Sequence, residues 1–219
     1  MTTRHLMALL GKDLRIHWKG VAAAHAGALA IIGLGIALGN PQADGAILAF
    51  VSNLNFLCAL LWGEWFVSRE KTKGSFAWLR TLPIRAADLC LSKFAVSGLC
   101  VLSLWTLTSL AFLRHDFRNA FAVWVVELAG LLLFSAVVVA SRMLFRQKLG
   151  QTLPLLLALP FVLIALLAER LGFLDDVLAL WQTAGVKAAT AAGLALAYSA
   201  VCACTIRLVR ATETRRLLE

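Results

Sequence analysis

The chain has few charged residues and none of the common signatures of a soluble enzyme. Only 15% of its 219 residues are Asp, Glu, Lys or Arg, whereas 61% are hydrophobic. A soluble domain has about 25% charged and about 45–50% apolar residues. A soluble core of this length could not bury so much apolar surface. The composition therefore excludes an ordinary soluble domain and indicates that the bilayer is the solvent.

Nucleotide-binding and nucleophile motifs are missing from the sequence. It contains no G-x-x-x-x-G-K-[ST] loop, no G-x-G-x-x-G turn after a strand and no G-x-S-x-G elbow. The glycines of GLGIALG at 33–39 lie within an apolar run, where small residues permit close helix packing. We therefore expect that the chain is not an enzyme, binds no cofactor and does not hydrolyse ATP by itself.

A disulfide framework, a metal site and a cleavable leader are also not indicated. The five cysteines lie inside or at the edge of apolar runs, where cysteine behaves as a small apolar residue. The four histidines are scattered, whereas metal ligation needs clustered ligands. The first twenty residues are broken by charges and lack the apolar core of a signal peptide.

Six apolar runs are long enough to cross a bilayer, which takes about 18 or more residues. Prolines 154 and 160 fall inside the fifth run, where neighbouring helices can satisfy the freed backbone groups. Residues 168–185 are predicted to form an interfacial helix or a shallow re-entrant piece. The predicted spans are approximately 21–39, 46–67, 91–113, 119–141, 151–168 and 185–206.

The distribution of positive charge gives the orientation. With the N-terminus inside, 17 of the 21 Lys and Arg residues face the cytoplasm, and both termini are cytoplasmic. The net charge of +9 then reflects cytoplasmic loops beside anionic lipid and not a nucleic-acid partner. The four cations left outside are Arg114, Arg118, Arg170 and Lys187.

The segment before the first span has segregated faces. On a helical wheel its basic residues share one face and its large apolar residues, with His17, share the opposite face. The pattern predicts an interfacial amphipathic helix over residues 1–20. The expected fold class is therefore an all-α integral membrane protein, a single domain over 1–219, with this helix and six spans. The basic face carries Arg4, Lys12, Arg15 and Lys19.

Polar residues inside the spans are candidate functional groups, because burying them in lipid costs free energy. Asn53 and Asn55 lie in the outer half of the second span, and Glu127 lies in the outer half of the fourth. They either line a substrate path or form polar contacts between helices; contacts are favoured for the asparagines, and both alternatives stay open for Glu127. Glu64 lies near the cytoplasmic end of the second span, where it can pair with Arg69 or with another helix.

Residues 63–85, GEWFVSREKTKGSFAWLRTLPIR, separate the second and third spans. Gly74 should end the helix that emerges from the membrane, and SFAWLRTL should form a short helix before Pro83. Three large apolar side chains, Phe76, Trp78 and Leu79, lie in this cytoplasmic loop. They either enter the lipid interface or fill a groove on a cytosolic partner, as aromatic anchors ringed by cations do.

The loop resembles the segment after the second span in ABC-2 type permeases, the membrane subunits of a class of ATP-binding-cassette transporters. The pieces are SREKTKGS, LRTLPI and LSKF. They match a charged helix end with Gly-Ser, a leucine-rich short helix with a Leu-Pro-Ile step, and a lysine that opens the third span. Ala77 stands where the family usually has an acidic residue. The matching positions are Glu64, Arg69, Glu70, Gly74, Leu79, Leu82, Pro83, Ile84, Asp88 and Lys93.

The resemblance implies a permease subunit of an exporter in a bacterial inner membrane. Two such chains, identical or homologous, would pair and bind two cytosolic ATPase subunits, which hold ATP and Mg. Residues 75–82 would be the coupling helix, and residues 1–20 would be the elbow helix. The implied coupling residues are Glu70, Gly74, Phe76, Trp78, Leu79 and Pro83.

Two narrower or different assignments stay open. The chain length and the spacing of Glu64, Gly74 and Pro83 also resemble the haem exporter B subunits of cytochrome c maturation. A different class is an integral membrane enzyme acting on lipid head groups. Such an enzyme would need clustered acids or histidines at the membrane edge. Asp175-Asp176 is the only pair of adjacent acids in the sequence, and it has no companion motif.

Overall fold

A computed structural model describes residues 3–38, 41–72, 85–112, 117–145, 152 and 183–218 of the chain. This part of the chain is all-helical, and its long elements form one packed bundle. The helices are α1 (Thr3–Leu38), α2 (Pro41–Thr72), α3 (Ala86–Phe112), α4 (Phe117–Leu144) and α5 (Ala184–Leu218).

Four stretches within these helices are long and apolar enough to cross a membrane: Phe50–Ser68, Ala87–Ser109, Trp124–Leu144 and Gly185–Thr212. They coincide with the predicted second, third, fourth and sixth spans. The coarse prediction of an all-α protein of membrane character is therefore confirmed for the described residues. The predicted first span lies within α1, and the predicted fifth span, except residue 152, lies outside the described residues.

Helix α1 crosses the predicted division between an interfacial helix and a first span without a break. It runs continuously from Thr3 to Leu38. Gly20 falls at the expected boundary but remains helical, and a Cβ there would lie only 2.7 Å from the Trp65 ring. The glycine therefore admits the neighbouring aromatic ring of α2 and does not end the helix.

Contacts between side chains give the directions of the first four helices. His17 packs on Phe66 and His25 on Trp62, so α1 and α2 are antiparallel. The Ser52–Glu127 and Glu64–Arg142 pairs show that α2 and α4 run in the same direction. Asp13 with Lys93, and His25 with Ser103, make α1 parallel to α3. The start of α1, the end of α2, the start of α3 and the end of α4 thus meet at one end, named here the loop end.

The interior consists of two apolar clusters. The larger one joins α1, α2, α3 and α4 around Trp62, Phe66 and Leu104, none of which is more than 1% exposed. The smaller one joins α2, α3 and α4 and receives partly buried side chains of α5. Gly63 permits the close approach of α2 to α4, because a Cβ there would lie 3.0 Å from Cβ of Val138 and 3.2 Å from the Ser135 carbonyl oxygen.

Candidate functional site

The predicted coupling segment falls almost wholly outside the described residues. This applies to Gly74, Phe76, Trp78, Leu79 and Pro83, and to the predicted helix over 75–82. Glu70 belongs to α2, two residues before its end at Thr72. The structure therefore fixes the two helix ends that this segment joins, Thr72 and Ala86, both at the loop end.

An ion pair links α2 to α4 near the loop end. The Glu64 carboxylate contacts the guanidinium of Arg142, whose side chain is buried at 3% exposure. Glu64 itself is one-third exposed, so the pair lies at the edge of the packed interior. The sequence left two candidate partners for Glu64, either Arg69 or a residue of another helix. In the structure Glu64 pairs with a residue of another helix, Arg142.

A second ion pair links α1 to α3 and is fully buried. Lys93 donates from its ammonium group to both carboxylate oxygens of Asp13, at 2.9 Å each, and neither side chain is more than 2% exposed. Lys12 also lies 3.5 Å from Asp13 but remains about one-third exposed. A buried charge needs a partner of this kind, because an isolated ion in an apolar interior is very costly.

Sequence reasoning missed Asp13 and placed Lys93 among the solvated cytoplasmic cations. The signal was present: a lysine inside the apolar run 91–113 requires a counter-charge. The only acid of the basic segment 4–19 is Asp13. Leu9, Asp13 and His17 follow a spacing of four and form the buried face of the first part of α1. Several of its large apolar residues are instead exposed: Met7, Leu14, Ile16 and Trp18.

Histidines of α1 lie against aromatic rings of α2. His17 is buried and meets Phe66 edge-on, with ring centroids 4.9 Å apart. His25 stacks on Trp62 at 6.1 Å, its Nδ1 donates to the Val21 carbonyl, and its Nε2 is hydrogen-bonded to the Ser103 hydroxyl. Both rings therefore serve helix packing between α1, α2 and α3.

The remaining predicted polar residues lie towards the opposite end of the bundle. Asn55 is buried and donates from Nδ2 to the Thr108 hydroxyl of α3 at 3.0 Å. Ser52 donates to Oε1 of Glu127 at 3.0 Å. Asn53 is exposed on α2, away from this contact. The structure thus brings Asn55 and Glu127 into neighbouring interhelical contacts and leaves Glu64 several turns away.

Within the described residues, no group of three or more His, Cys, Asp or Glu side chains could hold a metal ion. The five cysteines are free thiols; three are buried, Cys202 is partly buried and Cys204 is exposed. The polar groups that this part of the chain brings together therefore form ion pairs and hydrogen bonds between helices.

Comparison of the chain with protein-family models, with curated proteins and with solved structures finds no match.

Proposed function

We propose that the chain is the permease subunit of an ABC-2 type transporter, an exporter driven by a separate cytosolic ATPase. The observation that carries the proposal is the sequence of residues 63–85 between two apolar helices. Its charged helix end, Gly-Ser step, apolar short segment and Leu-Pro-Ile exit resemble the coupling loop of those permeases. In this proposal ATP and Mg bind the partner, and the chain pairs with a second permease.

The absence of an ATPase motif from the sequence supports a separate ATPase partner. The chain contains no nucleotide-binding motif, and its composition is that of a membrane protein. A pathway through the membrane does not by itself supply free energy for export. A cytosolic ATPase that docks on an exposed cytoplasmic segment would supply it, and Phe76, Trp78 and Leu79 provide apolar anchors for such docking.

The two ion pairs near the loop end give the coupling segment a mechanical connection to the bundle. Residues 73–85 join the end of α2 to the start of α3. Glu64 connects α2 to Arg142 of α4, and Lys93 connects α3 to Asp13 of α1. In the proposed transporter, a displacement of the loop by the ATPase would therefore reach α4 and α1 through charged contacts that resist separation.

Co-purification of the chain with its ATPase tests the proposal. The proposal predicts that this ATPase is encoded next to the chain, and the two are expressed together with an affinity tag on the chain only. Alanine at Phe76, Trp78 or Leu79 should release the ATPase and abolish the stimulation of its activity by the permease. Phe50→Ala is the matched control, because Phe50 is an exposed aromatic residue at the other end of the second span.

Two results would contradict the proposal. One is full retention of the ATPase by all three alanine variants. The other is turnover of a lipid substrate by the purified chain without any ATPase, which would favour the integral membrane enzyme.

A further inference from the structure

Two interhelical hydrogen bonds lie side by side on one face of α2, at the end of the bundle opposite the loop end. Ser52 and Asn55 are three residues apart, so their side chains are neighbours on the helix surface. Ser52 contacts Glu127 of α4, and Asn55 contacts Thr108 of α3. These residues, Ser52, Asn55, Thr108 and Glu127, are named here the polar cluster.

The residues one helical turn below the polar cluster pack together. One helical turn towards the loop end from Asn55, Thr108 and Glu127 are Ala59, Leu104 and Leu131. Those three side chains are buried and belong to one packed cluster. Residues four apart on a helix lie one above the other, so the three polar residues surround the same axis as the apolar ones. Two further buried side chains, Val51 and Trp124, lie one turn away on the opposite side.

The amide orientation of Asn55 is fixed by the hydroxyl that it contacts. Thr108 donates its single hydroxyl hydrogen to the Trp105 carbonyl at 3.0 Å. Its oxygen can therefore only accept from Asn55, which places the NH₂ group of Asn55 on Thr108. The amide oxygen of Asn55 then remains an acceptor, is buried, and receives no hydrogen bond from the described residues. An unmet buried acceptor costs about 1–3 kcal/mol, so a native structure normally supplies a donor or a cation.

Glu127 adds a carboxyl group that has no cationic partner among the described residues. Its carboxylate is partly buried within an apolar stretch, and within the described part of the chain it receives one hydrogen bond, from a neutral hydroxyl. No Lys or Arg among the described residues forms an ion pair with it. Ionisable groups within a membrane span are rare and usually pair or serve an ion or substrate pathway.

We propose that the polar cluster binds a small cation: an alkali ion, or the primary ammonium group of a substrate. Carboxylate, amide and hydroxyl oxygens are ligands that suit a hard cation, and the same acceptors suit an ammonium group with its three donors. A bound cation neutralises Glu127 and satisfies the amide oxygen of Asn55 together. The cluster lies towards the end of the bundle opposite the loop end, so the ligand enters from that side.

Cation-dependent thermal stability of the purified full chain in lipid nanodiscs tests the proposal without any ATPase. Sodium, potassium, ammonium or methylammonium chloride replaces choline chloride at constant total chloride. Choline controls for ionic strength, since a quaternary ammonium has no N–H donor. A ligand that binds only the folded state raises the unfolding temperature as its concentration exceeds its Kd. We expect a saturable rise with at least one small cation.

Variants assign the response to the cluster. Glu127→Gln keeps the shape and removes the charge, and it should weaken the apparent affinity by about tenfold or more. Asn55→Ala removes the unpaired acceptor and should also weaken the apparent cation affinity. This variant tests the site if Glu127→Gln fails to insert into the membrane. Glu64→Gln is the matched control and should retain the wild-type response, because Glu64 pairs with Arg142 near the loop end.

Comparison of the salts distinguishes an alkali-ion ligand from an ammonium ligand. A response to sodium or potassium assigns an ion site, whereas a response restricted to ammonium and methylammonium assigns an amine site. No cation response beyond choline in the wild-type chain would overturn the proposal. An undiminished response in Glu127→Gln and Asn55→Ala would overturn it as well. Neither result bears on ATPase docking, which is measured separately.

Discussion

Lys93 of α3 holds Asp13 of α1 with two hydrogen bonds of 2.9 Å, and both side chains are almost completely buried. Among the ion pairs between described residues, this pair is the most deeply buried. Its two members come from segments eighty residues apart in sequence. The contact therefore fixes the rotation and the axial position of α1 against α3.

Removing one member of this pair should destabilise the bundle strongly. Lys93→Met removes the buried cation that holds Asp13, and Asp13→Leu removes the carboxylate that accepts both hydrogen bonds from Lys93. Each single change should lower the free energy of unfolding by about 3–5 kcal/mol. The measurement is reversible unfolding in mixed detergent micelles, followed by tryptophan fluorescence.

The double variant Asp13→Leu with Lys93→Met provides the decisive comparison. It replaces the pair by apolar side chains, which is often neutral or stabilising, so most of the lost stability should return. Lys12→Met is the surface control and should cost no more than about 1 kcal/mol, because exposed ion pairs contribute little. Additive effects of the two single changes would show that the residues do not depend on each other.

The Glu64–Arg142 pair predicts a charge-reversal rescue between α2 and α4. Glu64→Arg or Arg142→Glu alone places two like charges in contact at a partly buried site. Each should reduce the yield of folded, detergent-stable protein, and the double reversal should recover much of it because the opposite charges are restored. Size-exclusion chromatography of the extracted protein measures the recovery. Failure of the double reversal to exceed either single variant would contradict a direct pairing.

Gly63 predicts a steric limit on the α2–α4 contact. Gly63→Leu forces a side chain against Val138 and the Ser135 carbonyl, where even a Cβ would lie 3.0 to 3.2 Å away. Overpacking of this kind typically costs about 1–3 kcal/mol, which thermal unfolding should detect. Gly33→Leu is the matched control, since a Cβ at Gly33 meets nothing within 4 Å and the same substitution there should be tolerated. Equal stability of the two variants would mean that α2 and α4 are not in close contact.

The helices could be predicted from composition because bilayer thickness sets their length. The apolar runs at 46–67, 91–113, 119–141 and 185–206 fall within α2, α3, α4 and α5, apart from residue 113. Whether the predicted interfacial helix over 1–20 and the span from residue 21 form one continuous helix could not be judged from sequence. Gly20 is a common stop signal, yet here the close approach of Trp65 explains the glycine within a continuous helix.

The partners of the buried charges could not be predicted, because helix rotation and register are tertiary properties. The sequence indicated that Lys93 lies at an apolar run, but only packing of α1 on α3 selects Asp13 as its partner. Likewise, Glu64 had two candidate partners, and the parallel packing of α2 and α4 selects Arg142. The hydroxyl groups that contact Asn55 and Glu127 depend on which helix packs against each residue. The helical period of the sequence gives the face of a residue but not the helix that lies opposite that face.

The orientation of the chain predicts which loops a membrane-impermeant reagent can reach. The excess of Lys and Arg predicts that the loop with Ser75 faces the cytoplasm and that the loop with Asp116 faces the outside. In a variant with the five native cysteines replaced, Asp116→Cys should therefore react with an impermeant maleimide in intact cells. Ser75→Cys should react only after the membrane is opened. Labelling of Ser75→Cys in intact cells would reverse the orientation and remove the loop from the reach of a cytosolic ATPase, which would end the permease proposal as well.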